Sequence, residues 1–114
     1  MKIDVRARAL QLTAAEREAV ARRLVLALGR FEGTLSSVLA RLEDINGPRG
    51  GEDLRCSLEL RSRRLGRIRA EAVAVTVPEA VARAAEVASR SVARGLDRMN
   101  SRWTVGRLRQ AVQT

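Results

Sequence analysis

The sequence predicts an α+β fold, in which a four-stranded sheet carries two helices packed on one face, in the order β-α-β-β-β-α. Four segments alternate apolar and polar residues with the period of a half-buried strand. Two longer segments repeat apolar residues at helical spacing, and each begins with a Thr-x-x-Glu sequence typical of a helix start. Because the first helix lies between two strands, a right-handed crossover predicts that strands one and two are parallel neighbours.

The first strand and the first helix occupy the first 31 residues. In residues 2–8 every second residue is apolar, namely Ile3, Val5 and Ala7, which predicts strand one. Thr13 and Glu16 then fit a capping box, in which each side chain satisfies a free backbone amide of the first helical turn. The helix is predicted to run to about Phe31. Its apolar stripe comprises Val20, Leu24, Ala27, Leu28 and Phe31.

Three further strands are predicted at residues 36–45, 53–61 and 67–75, joined by two turns. The first turn contains NGPRGG, whose glycines match no phosphate-binding motif and lie between two strands rather than before a helix. We therefore interpret it as a hairpin turn with Arg49 exposed at its tip. The second turn is SRRLG, and the strand after it is rich in alanine, which suggests a helix packed closely above.

A second capping box is predicted at Thr76 and Glu79, and the helix that it opens is expected to continue to about Met99. We accordingly expect one domain at residues 1–99. Residues 100–114 form a basic C-terminal extension, which is either disordered or a short helix from Thr104.

Each predicted strand has a single apolar face, so both helices should cover the same side of the sheet. The opposite side should face water and carry mixed charges that pair across strands, as a solvated surface rather than a site. These charges are Asp4, Arg6, Arg41, Glu43, Arg55, Glu59, Arg69 and Glu71.

The charge balance favours a polyanionic partner such as nucleic acid. The chain of 114 residues has 22 basic and 13 acidic residues, a formal net charge of +9. Residues 1–60 carry a net charge of only +1, whereas residues 61–114 carry +8. An anion-binding surface should therefore draw mainly on the second half of the chain.

The composition offers no catalytic constellation, and we predict that the protein is not an enzyme. The absence of histidine removes the commonest general base and the commonest metal ligand. Cys56 is the only cysteine, falls on the inward side of its strand and is interpreted as a small core residue. We expect no cofactor, metal or small-molecule substrate, no membrane segment or signal peptide, and a reducing cytoplasm as the compartment.

Arginines on the two helices are the candidate binding residues. They lie away from the apolar stripes, and helices packed side by side would join them in one basic surface suited to phosphates. The set comprises Arg22, Arg23 and Arg30 on the first helix and Arg83, Arg90, Arg94 and Arg98 on the second. The strands lack aromatic stacking platforms, so recognition of folded RNA by shape and phosphate is favoured over single-strand recognition.

The sequence resembles the ribosome hibernation promoting factors, also called ribosome-associated inhibitor or sigma-54 modulation proteins. The resemblance covers residues 1 to about 99. It is carried by the element order, by LTAAEREAVARRLVLALGRFEG and IRAEAVAVTVPEAVARAAEVASRSV, and by DINGPRGGEDLRCSLEL as a hairpin of one branch. From this resemblance we expect a short form, which lacks the carboxy-terminal dimerisation domain of long members.

The resemblance implies a non-enzymatic cytoplasmic protein that binds small-subunit rRNA near the decoding centre and blocks the mRNA and tRNA sites under stress. Positions often basic in the family match Arg17, Arg23, Arg30, Arg90 and Arg94. Leu26 and Val87 are apolar where a cation is expected, and Pro78 stands where relatives are frequently aromatic. Possible secondary contacts are Arg49, Arg102 and Trp103.

Two alternatives stay open at this stage. The chain is either a protein-interaction module that kept the fold and lost ribosome binding, as Leu26, Val87 and Trp103 suggest, or a general RNA-binding or DNA-binding protein. The sequence also leaves open the oligomeric state, any promotion of ribosome dimerisation and the inducing stress.

Overall fold

The structure is a computed structural model that describes residues 1–46 and 53–113, with side chains described as far as Ser101. Four strands form one sheet in the order β1-β2-β3-β4, and two helices cover one of its faces. The strands are β1 (Lys2–Arg8), β2 (Leu35–Asp44), β3 (Leu54–Ser62) and β4 (Gly66–Ala74), and the helices are α1 (Ala14–Leu28), followed by a 3-10 turn (Gly29–Phe31), and α2 (Val77–Gln113). The predicted α+β class and element order are confirmed.

The strand pairing follows the prediction from connectivity. β1 runs parallel to β2, with Val5 beside Ala40, because α1 provides the crossover between them. β2, β3 and β4 are successive antiparallel partners. At the base of the β2–β3 hairpin the amide of Asn46 donates to Asp44 Oδ1 at 3.0 Å. The tip, residues 47–52, lies outside the described residues, and the predicted turn there stays a prediction.

Small side chains allow α2 to lie close to the sheet. Ala70 and Ala74 of β4 are buried, as the alanine-rich sequence of this strand suggested. The buried face of α2 is also built mainly of alanine, at positions 80, 84, 85 and 88, together with Val81 and Val92. The larger side chains of the core come from α1, β2 and β3. They include Leu24, Leu28, Phe31, Val38, Leu42, Leu58 and Leu60.

The two predicted capping boxes differ in the structure. At α1, the amide of Glu16 donates to Thr13 Oγ1 at 3.1 Å and the amide of Thr13 donates to Glu16 Oε1 at 3.0 Å, so this box is complete. At α2, the amide of Glu79 donates to Thr76 Oγ1 at 3.3 Å, but the Glu79 carboxylate accepts from Arg83 Nη2 at 2.5 Å. The second box is therefore only half formed, because an arginine one turn later attracts the carboxylate.

The second helix is longer than the sequence pattern predicted. We expected it to end near Met99, whereas α2 continues to Gln113 as one helix of 37 residues. A helix of this length extends about 55 Å, and the molecule measures 67 Å along its longest axis. Among the described side chains of α2, Leu96 is the last one packed against the core. The pattern of apolar residues marked where core packing ends, and the backbone helix continues beyond that point.

The environment of Cys56 leads to a first prediction. Its side chain is fully buried in β3, and this burial raises the pKa of the thiol to about 12. At pH 8 we expect iodoacetamide to alkylate the native protein at least about a thousandfold more slowly than the protein in urea, since the thiolate is the nucleophile. A Ser101→Cys variant, which adds an exposed thiol, should take up one equivalent natively and a second only in urea. Rapid native alkylation of Cys56, followed by mass spectrometry, would contradict this burial.

The capping box of α1 leads to a second prediction. Thr13→Ala should lower the free energy of unfolding by about 1 kcal/mol, because the first turn loses its hydroxyl acceptor.

Hydrogen bonds from the backbone amide and the side chain of Thr13 lower the pKa of Glu16 below its ordinary value of 4.5. The stabilisation from the ionised carboxylate is therefore present above pH 4.5 and is lost as pH falls through the lowered pKa. Urea denaturation from pH 7 to pH 3 measures this loss, and Thr13→Ser, which keeps the hydroxyl, is the control.

Candidate nucleic-acid interface

The two helices lie side by side, and an arginine in the 3-10 turn after α1 contacts α2. Arg30 Nη2 donates to Ser89 Oγ at 2.8 Å, and the Arg30 guanidinium carbon lies 4.5 Å from the centroid of the Phe31 ring. The hydrogen bond joins the end of α1 to the middle of α2. It therefore supports the expectation that the outer faces of the helices form one surface.

A shallow groove of about 330 Å³ lies on the outer side of α2 between two of the predicted arginines. Arg90 and Arg94 line it, together with Val87, Ala93 and Asp97. Val87 is half-buried there, which explains its apolar character at a position where a cation was expected. The side chains of Arg90 and Arg94 are exposed, one turn apart, and reach the same patch of solvent.

Five of the predicted arginines make no hydrogen bond or ion pair with any other residue that the structure describes. All five are exposed, and we call them the free helix arginines. They are Arg22 and Arg23 on α1 and Arg90, Arg94 and Arg98 on α2. Because their guanidinium groups are unpaired, each can contact a phosphate without first breaking an internal contact.

Arg17 and Arg83 occupy a different place, at the two edges of the sheet. Arg17 Nη1 donates to the carbonyl of Val5 in β1 at 2.8 Å. Arg83 Nη1 donates to the carbonyl of Val73 in β4 at 3.2 Å, while its Nη2 pairs with Glu79. Since β1 and β4 are the outer strands, these two arginines lie at opposite edges and do not continue a single row. Each satisfies a backbone carbonyl of an edge strand.

The face of the sheet away from the helices carries the predicted mixed charges, and its carboxylates are paired with arginines. Arg6 contacts Asp4 at 3.3 Å, Arg67 contacts Glu59 at 2.9 Å, and Arg55 reaches both Glu43 at 4.0 Å and Glu71 at 3.1 Å. A depression of about 670 Å³ on this face has Arg41 and Arg69 in its lining. Every acidic residue that lines the depression belongs to one of these ion pairs, whereas Arg41 and Arg69 form no ion pair with another described residue. The predicted cross-strand pairing therefore holds for the carboxylates of this face.

Some predicted contacts cannot be placed. Arg49 lies outside the described residues, and so do the side chains of Arg102 and Trp103, whose backbone belongs to α2. Their contacts with RNA remain predictions. The sequence reasoning also treated SRRLG only as a turn. It thereby missed a cluster of exposed cations around the β3–β4 hairpin, comprising Arg61, Arg63, Arg64 and Arg67. The run of arginines in RSRRLGR was the signal available for it.

Neither a metal cluster nor a membrane helix is found in the described part of the chain. Within it, no three or more His, Cys, Asp or Glu side chains come together in a way that would hold a metal ion. No helix among the same residues is long and apolar enough to cross a membrane.

Comparison with known proteins gives structural matches. No family model matches the chain, and no curated protein matches its sequence. The crystal structure of the protein Y N-terminal domain from Thermus thermophilus matches with a TM-score of 0.66 at 23% identity, covering 82% of this chain and 98% of that one. A ribosomal subunit interface protein from Coxiella burnetii matches with a TM-score of 0.62 at 12% identity, covering 89% and 99%. The chain has the fold of these two proteins. The fold that the family resemblance implied is therefore confirmed.

The contacts of Arg30 lead to a prediction that separates held arginines from free ones. Arg30→Gln should lower the free energy of unfolding by about 1 kcal/mol, because it removes a hydrogen bond between the helices and a cation–π contact. Arg22→Gln, a matched charge loss on α1, should change it by less than about 0.5 kcal/mol. Urea denaturation measures both variants. Equal effects would show that the contact with Ser89 contributes nothing to stability.

Proposed function

We propose that this protein is a ribosome-associated hibernation factor. In this proposal it is a non-enzymatic, cytoplasmic protein that binds small-subunit rRNA near the decoding centre and blocks the mRNA and tRNA sites under stress. One observation carries the proposal. The free helix arginines lie on the surface of a helix pair, on a fold shared with a ribosomal subunit interface protein. The small subunit and the decoding region come from the family resemblance.

The physical basis is the set of unpaired arginines on the helix face. On the open sheet face, Asp4, Glu43, Glu59 and Glu71 all form ion pairs with arginine. On the helix face, the free helix arginines have no carboxylate partner among the described residues. Residues 14–31 and 77–101 together carry eight arginines and five acidic residues, so the helices have a net positive charge. Unbalanced arginines attract phosphate groups, and counterion release from RNA provides much of the binding free energy.

Three further arginines, two at the edges of the sheet and one in the turn after α1, have a secondary role in this proposal. Arg17, Arg30 and Arg83 are exposed, but each already donates to a protein acceptor. A guanidinium group has five donors, so each can contact a phosphate while it keeps its internal bond. Their substitution should change stability as well as binding, whereas substitution of the free helix arginines should change binding alone.

One feature favours a second candidate function, a protein-interaction module. Leu26 is 85% exposed and Val25 is 49% exposed on α1, which leaves apolar surface next to Arg22 and Arg23. Apolar side chains that stand this far into solvent are typical of a contact with another protein. A single patch of two residues is small, however, and the charge imbalance extends over both helices.

Sedimentation with purified small ribosomal subunits tests the ribosomal proposal. The protein should cosediment with the subunit at low salt and dissociate progressively as salt rises. Arg90→Gln combined with Arg94→Gln should weaken binding and make the slope of log K against log salt shallower by about 1.5, because two phosphate contacts are lost. The unfolding transition should not change, since neither side chain has an internal partner.

Arg41→Gln combined with Arg69→Gln is the matched control. It removes the same charge from the open sheet face and breaks no ion pair. A protein that stays unbound at every salt concentration would refute the ribosomal proposal. Recovery of one protein partner after nuclease treatment, without ribosomal RNA, would favour the interaction module. Displacement by unstructured RNA at equal concentration would favour a general RNA-binding protein.

A further inference from the structure

The β3–β4 hairpin carries a dense positive charge that the helix surface does not include. Four arginines fall within seven residues and all four side chains are exposed. They form the hairpin cation cluster, which consists of Arg61, Arg63, Arg64 and Arg67. Arg67 pairs with Glu59 at 2.9 Å. The other three make no side-chain ion pair with any residue in the described part of the chain.

The arrangement of these arginines is unfavourable in the absence of an anion. Arg61 and Arg67 are direct cross-strand partners in the β3–β4 ladder, and Arg63 and Arg64 follow in the turn between them. Like charges opposite each other in a sheet are destabilising. Glu59 offsets this repulsion at Arg67 only, and no acidic residue occurs between Arg61 and Arg67 to pair with Arg61, Arg63 or Arg64. An anionic partner that lies across the hairpin would relieve it.

Hydrogen bonds hold the hairpin in one conformation. The buried hydroxyl of Ser62 accepts from the amide of Arg64 at 3.2 Å and from the amide of Leu65 at 3.1 Å. Gly66, the first residue of β4, follows the three-residue loop 63–65 with a φ of +77°, a conformation that favours glycine. Below the turn, Ser36 Oγ donates to the carbonyl of Arg61 at 3.0 Å. The backbone that carries the arginines is therefore ordered before any ligand binds, which lowers the entropic cost of binding.

The hairpin is also in contact with the second helix. Leu65 packs against Gly95 so closely that a Cβ at position 95 would lie 3.3 Å from both Leu65 methyl carbons. Arg94 precedes Gly95 in sequence, and Arg98 lies one helical turn after it. The Leu65–Gly95 contact thus brings the hairpin beside the free helix arginines at that end of the core. Positive charge continues from α2 around the end of the sheet.

We propose that the hairpin cation cluster is a second RNA-binding site. It binds phosphate groups of structured RNA, next to the RNA segment that α2 binds. The inference rests on the proposed ribosomal function and adds a site to it. RNA phosphate is favoured over an acidic protein segment for a structural reason. The cluster lies beside the turn of α2 that carries Arg94 and Arg98, and no exposed large apolar side chain lies among residues 61–67. Protein interfaces usually include apolar side chains at their centre.

Binding to the small subunit as a function of salt tests this site. Arg63→Gln combined with Arg64→Gln should weaken binding about tenfold near physiological salt and make the salt slope shallower by about 1.5. Neither side chain has an internal partner, so the unfolding transition should stay unchanged. The control is again Arg41→Gln with Arg69→Gln, which removes equal charge from the centre of the open face. Affinity and slope equal to those of this control would overturn the hairpin site.

The outcomes separate this inference from the proposed function. If the Arg90 and Arg94 double variant loses affinity while the Arg63 and Arg64 double variant binds like the control, the ribosomal proposal stands and the hairpin site is refuted. If the unsubstituted protein does not bind the subunit at all, the ribosomal proposal fails, and this inference fails with it.

Directed hydroxyl-radical probing distinguishes RNA from a protein partner. An iron chelate is attached to an Arg63→Cys variant, and the buried Cys56 should stay unlabelled under native conditions. In the complex with the subunit we expect strand cleavage of ribosomal RNA at a discrete site. Loss of affinity in the Gln variants without any RNA cleavage from position 63 would identify an acidic protein as the partner and would overturn the RNA contact.

Discussion

The architecture depends on one constraint, which is that every strand of the sheet has a single apolar face and all four apolar faces point the same way. Both helices must then cover that side, because neither can bury its apolar stripe elsewhere. Small side chains make this possible for the longer helix, since Ala70 and Ala74 of the sheet face an α2 surface built largely of alanine. Side-by-side helices are the consequence, and the basic surface exists only because they are neighbours.

Arginine has several distinct tasks in this protein. Arg17 and Arg83 satisfy backbone carbonyls at the two outer strands, where unpaired edges would otherwise be open to another strand. Arg30 joins the helices through Ser89. On the open face, arginines neutralise carboxylates, and Arg55 alone contacts two of them. The remaining positive charge lies on the helices, at the β3–β4 hairpin and on Arg41 and Arg69 of the open face.

Local patterns in the sequence were sufficient for most of the fold. Alternation in residues 2–8 predicted β1, the Thr13 and Glu16 pair predicted the start of α1, and the inward position of Cys56 predicted its burial. Periodicity failed at the end of α2, because it reports the face that packs on the core and not the backbone hydrogen bonds that continue the helix. The capping box predicted at Thr76 is only half formed, because Arg83 binds the Glu79 carboxylate that would complete it.

The sequence by itself determined the order of the elements, the side of each strand that is buried and the excess of positive charge, because these depend on residue type and on spacing along the chain. Only the tertiary structure decided which arginines are free. Arg17 and Arg22 look alike in sequence, yet Arg17 meets a carbonyl of β1 and Arg22 meets none. The contact between Leu65 and Gly95 likewise joins residues 30 positions apart. Such partners are set by packing across the fold, which local periodicity does not record.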